Sequence, residues 1–477
     1  MRKRWVWVIF AVVVLAVGVL AVATREREPE YGGSVFEGGN VWAGTPYPAI
    51  PGQFNQYGGM VKIMNLGLYY NYSLFGGTLD LPEGLNLIGQ QGGTSYFQAG
   101  GTNRTPRVLM EDDYAGSGPS LTLNGGLLAA GGVDVRSGWF GESTVVQNGG
   151  THVVTNALNV VGGATSGAQP QRAAYYLNGG SLSARVIELN ANEGDSLFVQ
   201  SNGTTGAETF LGHSVGYYGS FNTYITLAGG SLSCSNFSLD DGRGSFNQSG
   251  GALVVSDLLT VSGYRDLNIR YYGRYTFTGG AVTASNINIA ADWVIGDGST
   301  NRISNPGFFS LSHLLLINNA VEQLGRFVLA SNATIDLAGS ASRLSFANSS
   351  GETWTGGATL AVLNWNGNPS GGGAEQLKFG TNAFGLTSVQ LNQIRFRVGT
   401  DFYSAKLLNS GEVVPDQLFP PLAYSKQGNN LVLTWPPGWS LQTATNVAGP
   451  YLDVANATSP YTNDMTLDRQ QFFRLQQ

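Results

Sequence analysis

The chain has 477 residues, of which 68 are glycine, about twice the usual share, and only 12% are charged, roughly half the usual quarter. A hydrophobic share of 42% excludes a disordered chain, and the acidic excess, 31 against 25, argues against a nucleic-acid partner. The single cysteine, Cys234, excludes an intrachain disulfide and reads as an apolar core filler, so stability has to come from packing and backbone hydrogen bonds.

Arg2, Lys3 and Arg4 precede an uncharged apolar run from Trp5 to Ala23, which addresses the chain for export. Ala21 and Ala23 suit a cleavage site, yet 19 apolar residues also suffice to span a bilayer. Residues 1–23 therefore read as either a signal peptide or a signal anchor. An anchor with basic residues in front would leave the remainder outside, so membrane contact is expected only through residues 5–23. Without its first 23 residues the chain carries 22 basic and 31 acidic residues, a net charge of −9. Residues 24–53, with Pro29, Pro46, Pro48 and Pro51 among glycines, read as a linker and an N-terminal cap.

A doubled glycine then recurs at Gly58, Gly76, Gly100, Gly125, Gly149, Gly179, Gly229, Gly250 and Gly279, each followed by a second glycine, with Asn202-Gly203 filling the one wide gap. The mean spacing is about 24.6 residues, inside the range of repeat architectures. Four residues before each pair stand Phe54, Tyr72, Tyr96, Leu121, Val145, Tyr175, Phe198, Ile225, Phe246 and Tyr275, all apolar or aromatic. Two residues before it, Gln56, Gln98, Gln147, Gln200 and Gln248 alternate with Leu74, Leu123, Leu177, Leu227 and Phe277. After the pair, apolar residues dominate the third and fifth offsets, as in Val61/Ile63, Leu182/Ala184 and Leu253/Val255.

Period two thus holds on both sides of the glycines but changes parity across them, which requires a bend that glycine permits through positive φ. A second corner is expected at the seventh offset, where Asn65, Asn156, Asn236, Asp257 and Asn286 stand, types that tolerate the left-handed region and bond their own backbone. Further apolar pairs such as Leu158/Val160 and Ile287/Ile289 follow, then a variable loop. The fold class is all-β: residues 54–415 are expected to form a parallel β-helix, a solenoid of about 25-residue three-strand coils with a terminal cap. The alternating glutamines read either as a polar row facing a ligand or as amides bonded to backbone near the corners.

Beyond the fading of the glycine pairs at Gly307, the apolar runs Leu314–Ile317, Arg326–Leu329, Thr334–Leu337 and Ala358–Leu363 read as further coils and the cap. Pro415 to Pro421 marks a boundary, and residues 422–477 read as a small all-β module of sandwich type.

Units such as FNQSGGALVVSDLLTV and ITLAGGSLSCSNFSL resemble the strand repeats of autotransporter passengers and related exported bacterial proteins. Residues 353–415, with WTGGATLAVLNWNG and AKLLNSGEVVP, resemble the passenger end of proteins carrying a PEP-type sorting signal. No sorting tail follows Pro415; instead LVLTWPPGWSLQTATNVAGPYLDV and QFFRL are similar to a terminal module of large extracellular repeat proteins. The resemblance implies an extracellular β-helix with a role in surface structure or adhesion, and it implies no catalytic residues.

Because parallel β-helices also serve as polysaccharide lyases and hydrolases, paired carboxylates bear on function. Asp240-Asp241 is the best pair and resembles the central D-D of pectin-type hydrolases, whose N-T-D, G-H-G and R-I-K companions are missing; corner capping is the other reading. Glu111-Asp112-Asp113 reads as a solvated loop, and His152, His213 and His313 lack metal-ligand spacing. The Ca²⁺-binding nonapeptide pattern is absent. Tyr69-Tyr70, Tyr217-Tyr218 and Tyr271-Tyr272 sit in or near variable loops as candidate sugar platforms.

No catalytic, cofactor or metal residue is assigned. The expected role is a non-enzymatic surface or secreted protein presenting loops to cells, matrix or glycan. A β-helix polysaccharide lyase or glycoside hydrolase and an envelope scaffold without a specific ligand are the alternatives.

Overall fold

The structure, a computed structural model, describes residues 35–38, 41–43, 53–68, 71–89, 93–112, 118–138, 141–163, 171–213, 222–240, 244–262, 264–266, 269–271, 273–296, 303–304, 307–317, 319–338, 341–416, 422–435, 439–467 and 470–476. Residues 1–23 lie outside them. No helix of the described residues is long and apolar enough to cross a membrane.

Short strands stack in parallel into one long sheet that winds as a β-helix, with three faces per coil. On the first face, Gln53–Gln56 pairs with Asn71–Leu74, which pairs with Ser95–Gln98, and so on through Thr223–Leu227 to the leading residues of Ser245–Ser262 and Arg274–Ile295. The aligned apolar column is in register at every step, from Phe54↔Tyr72 to Phe246↔Tyr275. At about 4.8 Å per step, nine steps make a column roughly 43 Å long before the later coils are added.

The first corner is the glycine pair. Its second member has positive φ in every coil, Gly203 of the Asn202-Gly203 exception included. The glycines are also required by stacking: a Cβ on Gly180, at φ +78, would stand 2.3 Å from the carbonyl oxygen of Gly150 in the coil below. Positive φ makes the corner, and the missing Cβ lets the next coil approach within a strand spacing.

The second corner differs from the sequence expectation. None of the Asn or Asp residues at the seventh offset has positive φ. The parity changes instead at an irregularity within a continuous strand: Thr155 and Asn156 both point outward between buried Val154 and Leu158, and the register shifts there. Such a bulge bends a strand without interrupting it. Two of the three expected strands therefore merge, as in Leu127–Arg136, Thr151–Gly162 and Ser181–Ala191. The polar side chains bond the neighbouring coil rather than their own backbone: Asn86 Nδ2 donates to Asn65 Oδ1 at 2.9 Å.

The core is the enclosed column. Tyr175, Phe198, Phe210, Phe237, Phe246, Tyr275, Trp293 and Phe309 follow one another with ring centroids 4.6 to 5.8 Å apart. All eight are fully buried. Identical positions in successive coils meet at the strand spacing, so rings at an aligned position stack. Val35–Gly38 and Val41–Ala43 pair in parallel with the first coil. At the other end, Ile394–Val398 pairs antiparallel with Asp401–Leu407, which closes parallel stacking. Residues 422–476 form two three-stranded antiparallel sheets around Leu433, Trp435 and Leu441.

Candidate functional site

Gln56, Gln98, Gln147, Gln200 and Gln248 are all buried, and none faces solvent. Each Nε2 donates at 2.9 to 3.0 Å to the carbonyl that follows the glycine pair one coil further on: Thr78, Leu127, Ser181, Ser231 and Ala281. Most also approach the second glycine's carbonyl in their own coil, as Gln147 does with Gly150 at 3.3 Å. The amide thus joins two consecutive glycine corners, and its oxygen accepts a hydroxyl from Tyr72, Tyr96, Tyr175, Thr205 or Tyr275. The row is a set of internal staples rather than a ligand surface.

The same network takes in His152. Gln147 Nε2 donates to Ser181, so its Oε1 must accept, and it takes the Tyr175 hydroxyl at 2.6 Å. The Tyr175 oxygen is then free to accept from His152 Nδ1–H at 2.9 Å, which assigns the tautomer. His152 Nε2 is buried without a partner, and burial pushes the imidazole down to about 4, so it is neutral at pH 7. Asn103 has the equivalent role in the glutamine coil before it, donating to the Tyr96 hydroxyl at 2.9 Å.

Sequence reasoning missed these third-offset residues. The signal was present: Asn103, His152 and Thr205 break the apolar rule only in coils that carry a glutamine. Burial likewise pushes the Cys234 thiol up to about 12, so it is a core thiol without nucleophilic character.

The other histidines lie on the surface and each meets a carboxylate, His213 with Glu188 at 3.2 Å and His313 with Asp292 at 3.1 Å. Asp240 is exposed at the end of Ser231–Leu239 and accepts from Ser262 Oγ at 3.0 Å. Its companion Asp241 lies outside the described residues, as do Asp113, Tyr69-Tyr70, Tyr217-Tyr218 and Tyr272. Glu111 is exposed at the end of Thr102–Asp112. Among the described residues no three His, Cys, Asp or Glu gather as a metal site.

A more compact charged group stands where the first face begins. Arg172 lies 3.8 Å from Asp195 and 3.9 Å from Glu142, and Asp195 is buried with its Oδ1 accepting the Asn222 backbone N–H. Burial and the Asp195 carboxylate hold the Tyr224 hydroxyl above its usual range. Two carboxylates around one guanidinium leave no free cation there, so the group locks adjacent coils together. A shallow groove of about 370 Å³ crosses the second corner between Pro82, Arg104, Pro106 and Gly131.

From Gln53 to Ala290 the coils differ most in length at the third corner. The segments after Gly89, Asp112, Gly162, His213, Leu239 and Ser262 each leave the end of the third face, and each returns to the start of the first. By sequence position, four of the candidate groups, Glu111-Asp112-Asp113, Tyr217-Tyr218, Asp240-Asp241 and Tyr271-Tyr272, fall in or beside such segments. Comparison with protein-family models, with curated proteins and with solved structures found no significant match.

Proposed function

We propose that this chain is an exported, non-catalytic β-helix that presents loops from one edge of a rigid column to glycan, matrix or neighbouring cells. The carrying observation is the placement of length variation. From Gly59 to Gly280 the second residue of the glycine corner keeps positive φ, and the second corner spans three or four residues, as from Ala184 to Ile187 and from Val154 to Leu158. From Gln53 to Ala290 the long segments join the end of the third face to the start of the first, while in later coils others join the first face to the second, as from Leu363 to Gln376, and the core is unchanged by either. The N-terminal Arg2-Lys3-Arg4 and apolar run support export, and the strand-repeat resemblance supports an extracellular role.

The test applies the full chain to arrays of plant and microbial polysaccharides while monitoring release of products. Saturable binding without products is the expected result. Product release that Asp241→Asn abolishes would overturn it in favour of a polysaccharide-cleaving enzyme, and absence of any binding would leave a purely structural envelope module. Protease accessibility on intact cells checks the surface location.

A further inference from the structure

One segment near the end of the column carries oxygen donors at a regular spacing. Residues 364–375, NWNGNPSGGGAE, put Asn364, Asn366 and Asn368 at the first, third and fifth positions, Ser370 at the seventh and Glu375 at the twelfth. A twelve-residue calcium loop uses the same spacing, with aspartate first, Asp or Asn third and fifth, glycine sixth and glutamate last. Two positions depart from it, Asn364 for the leading aspartate and Pro369 for the glycine. Strands rather than helices flank the segment, which joins Leu360–Leu363 to Gln376–Phe379 within one coil.

The segment folds back so that its twelfth residue meets its third: Glu375 Oε2 accepts the Asn366 N–H. Glu412 Oε2 accepts the Gly372 N–H at 2.9 Å, and Asn368 Oδ1 accepts the Ser370 N–H at 2.8 Å, so the loop is pinned in shape. Glu375 is 1% exposed, yet its Oε1 is buried with no hydrogen-bond partner. The neighbouring guanidinium of Arg343 donates to the Ala374 carbonyl at 3.3 Å rather than to either acid. A second negative charge comes from the adjacent coil, where Asp336 Oδ1 accepts from Asn364 Nδ2 at 2.8 Å. Burial and, to a lesser extent, the Asp336 carboxylate push the Glu375 carboxyl above its usual range, against the pull of the Asn366 N–H. A buried carboxylate is stabilised by a paired charge or a coordinated metal, and Glu375 has a like charge beside it instead.

We propose that the carboxylates of Asp336 and Glu375, with amide and carbonyl oxygens of residues 364–368, bind one calcium ion that ties this loop to the adjacent coil. Two carboxylates match the charge of one divalent ion. The remaining ligands are neutral oxygens, the donor set of Ca²⁺, which takes about 6 to 8 of them in adaptable geometry. Asn364 shares its Nδ2 with Asp336, and a half-turn of the amide presents Oδ1 to an ion instead. Mg²⁺ demands a tighter octahedron and keeps its waters, while Zn²⁺ favours His and Cys, of which residues 364–375 have none. With only two acids the affinity falls in the range of extracellular calcium modules, a Kd of about 10⁻⁴ to 10⁻³ M. The site is independent of glycan presentation and would stand if that role failed.

The full chain, freed of divalent ions by a chelator, is titrated with Ca²⁺ and with Mg²⁺ by calorimetry. One Ca²⁺ is expected to bind, with Mg²⁺ weaker by roughly tenfold, and Ca²⁺ should raise the thermal midpoint because it binds only the folded chain. Tb³⁺ replaces Ca²⁺ as a luminescent probe, and Trp365, the second residue of the loop, should sensitise its emission. Glu375→Gln keeps an oxygen for the Asn366 N–H while removing the charge, and Asp336→Asn keeps one for the Ala338 N–H. Each variant should weaken Ca²⁺ binding by about tenfold or more and quench the sensitised Tb³⁺ emission. Circular dichroism establishes that each is folded, and the half-exposed Asp336 supplies the test if Glu375→Gln fails to fold. Undiminished Ca²⁺ binding in the folded variants, no Ca²⁺ binding up to about 10 mM, or equal affinity for Mg²⁺ overturns the proposal.

Discussion

Gln147 and Ser181 lie 34 residues apart in sequence and one coil apart in space, and a 2.9 Å hydrogen bond from Gln147 Nε2 to the Ser181 carbonyl joins them across adjacent glycine corners. The bond explains why glutamine and an apolar residue alternate. A glutamine reaching toward the next coil occupies the space above its own position, so the residue stacked on it, Leu177, has to be apolar. Replacing Gln147 by Leu preserves bulk but removes the amide donor to the Ser181 carbonyl and the acceptor of the Tyr175 hydroxyl. Urea denaturation should show a loss of about 1 to 3 kcal/mol. An unchanged midpoint would mean that the amides contribute nothing to stacking.

The glycine corners allow a paired comparison. Gly180→Ala places a side chain at φ +78 and sets its Cβ against the Gly150 carbonyl at 2.3 Å. The left-handed conformation alone costs about 1 to 2 kcal/mol for a residue with a Cβ, and the displaced coil adds to it. Gly58→Ala, by contrast, meets no atom within 4 Å and does not have positive φ. The first variant should lower the unfolding midpoint clearly, and the second should leave it within experimental error.

Cys234 offers a probe of opening. The thiol is buried and its ionisation is pushed up to about 12, chiefly by burial, so almost no thiolate exists at neutral pH. A disulfide reagent should label the native chain only as fast as the coil around Leu232 and Phe237 opens, and immediately in denaturant. Prompt labelling of the native protein would contradict the packing described.

Much of the column is legible in the sequence because stacking demands that equivalent residues repeat. Phe54 through Tyr275 align on the glycines alone, and each pairing is realised in the ladder. The Asn156 corner is not legible in the same way, because side-chain preference indicates a bend without specifying its mechanism, and a bulge with two outward residues changes parity as well as a left-handed residue does. Asn103, His152 and Thr205 are hidden for another reason. Their polarity becomes meaningful only beside a glutamine and tyrosine brought close by folding. The loop candidates, Asp241 and the tyrosine pairs among them, belong to segments without repeat, so no neighbouring coil supplies an aligned counterpart.

His152 makes the internal network visible in the pH dependence of stability. Its folded-state pKa is lowered by burial to about 4, against roughly 6.5 in an unfolded chain. Between these values the unfolded chain binds the proton and the folded chain does not, so stability falls as pH drops from 6.5 toward 4 and this contribution levels off below. The difference corresponds to roughly 3 kcal/mol across that window. His152→Asn installs the side chain that performs the same donation at Asn103, keeping a bond to the Tyr175 hydroxyl while removing the titrating group. Denaturation at pH 7.5 and pH 4.5 should therefore show the variant losing less stability on acidification than the wild type. Equal losses would mean that burial does not lower the His152 pKa in the folded chain.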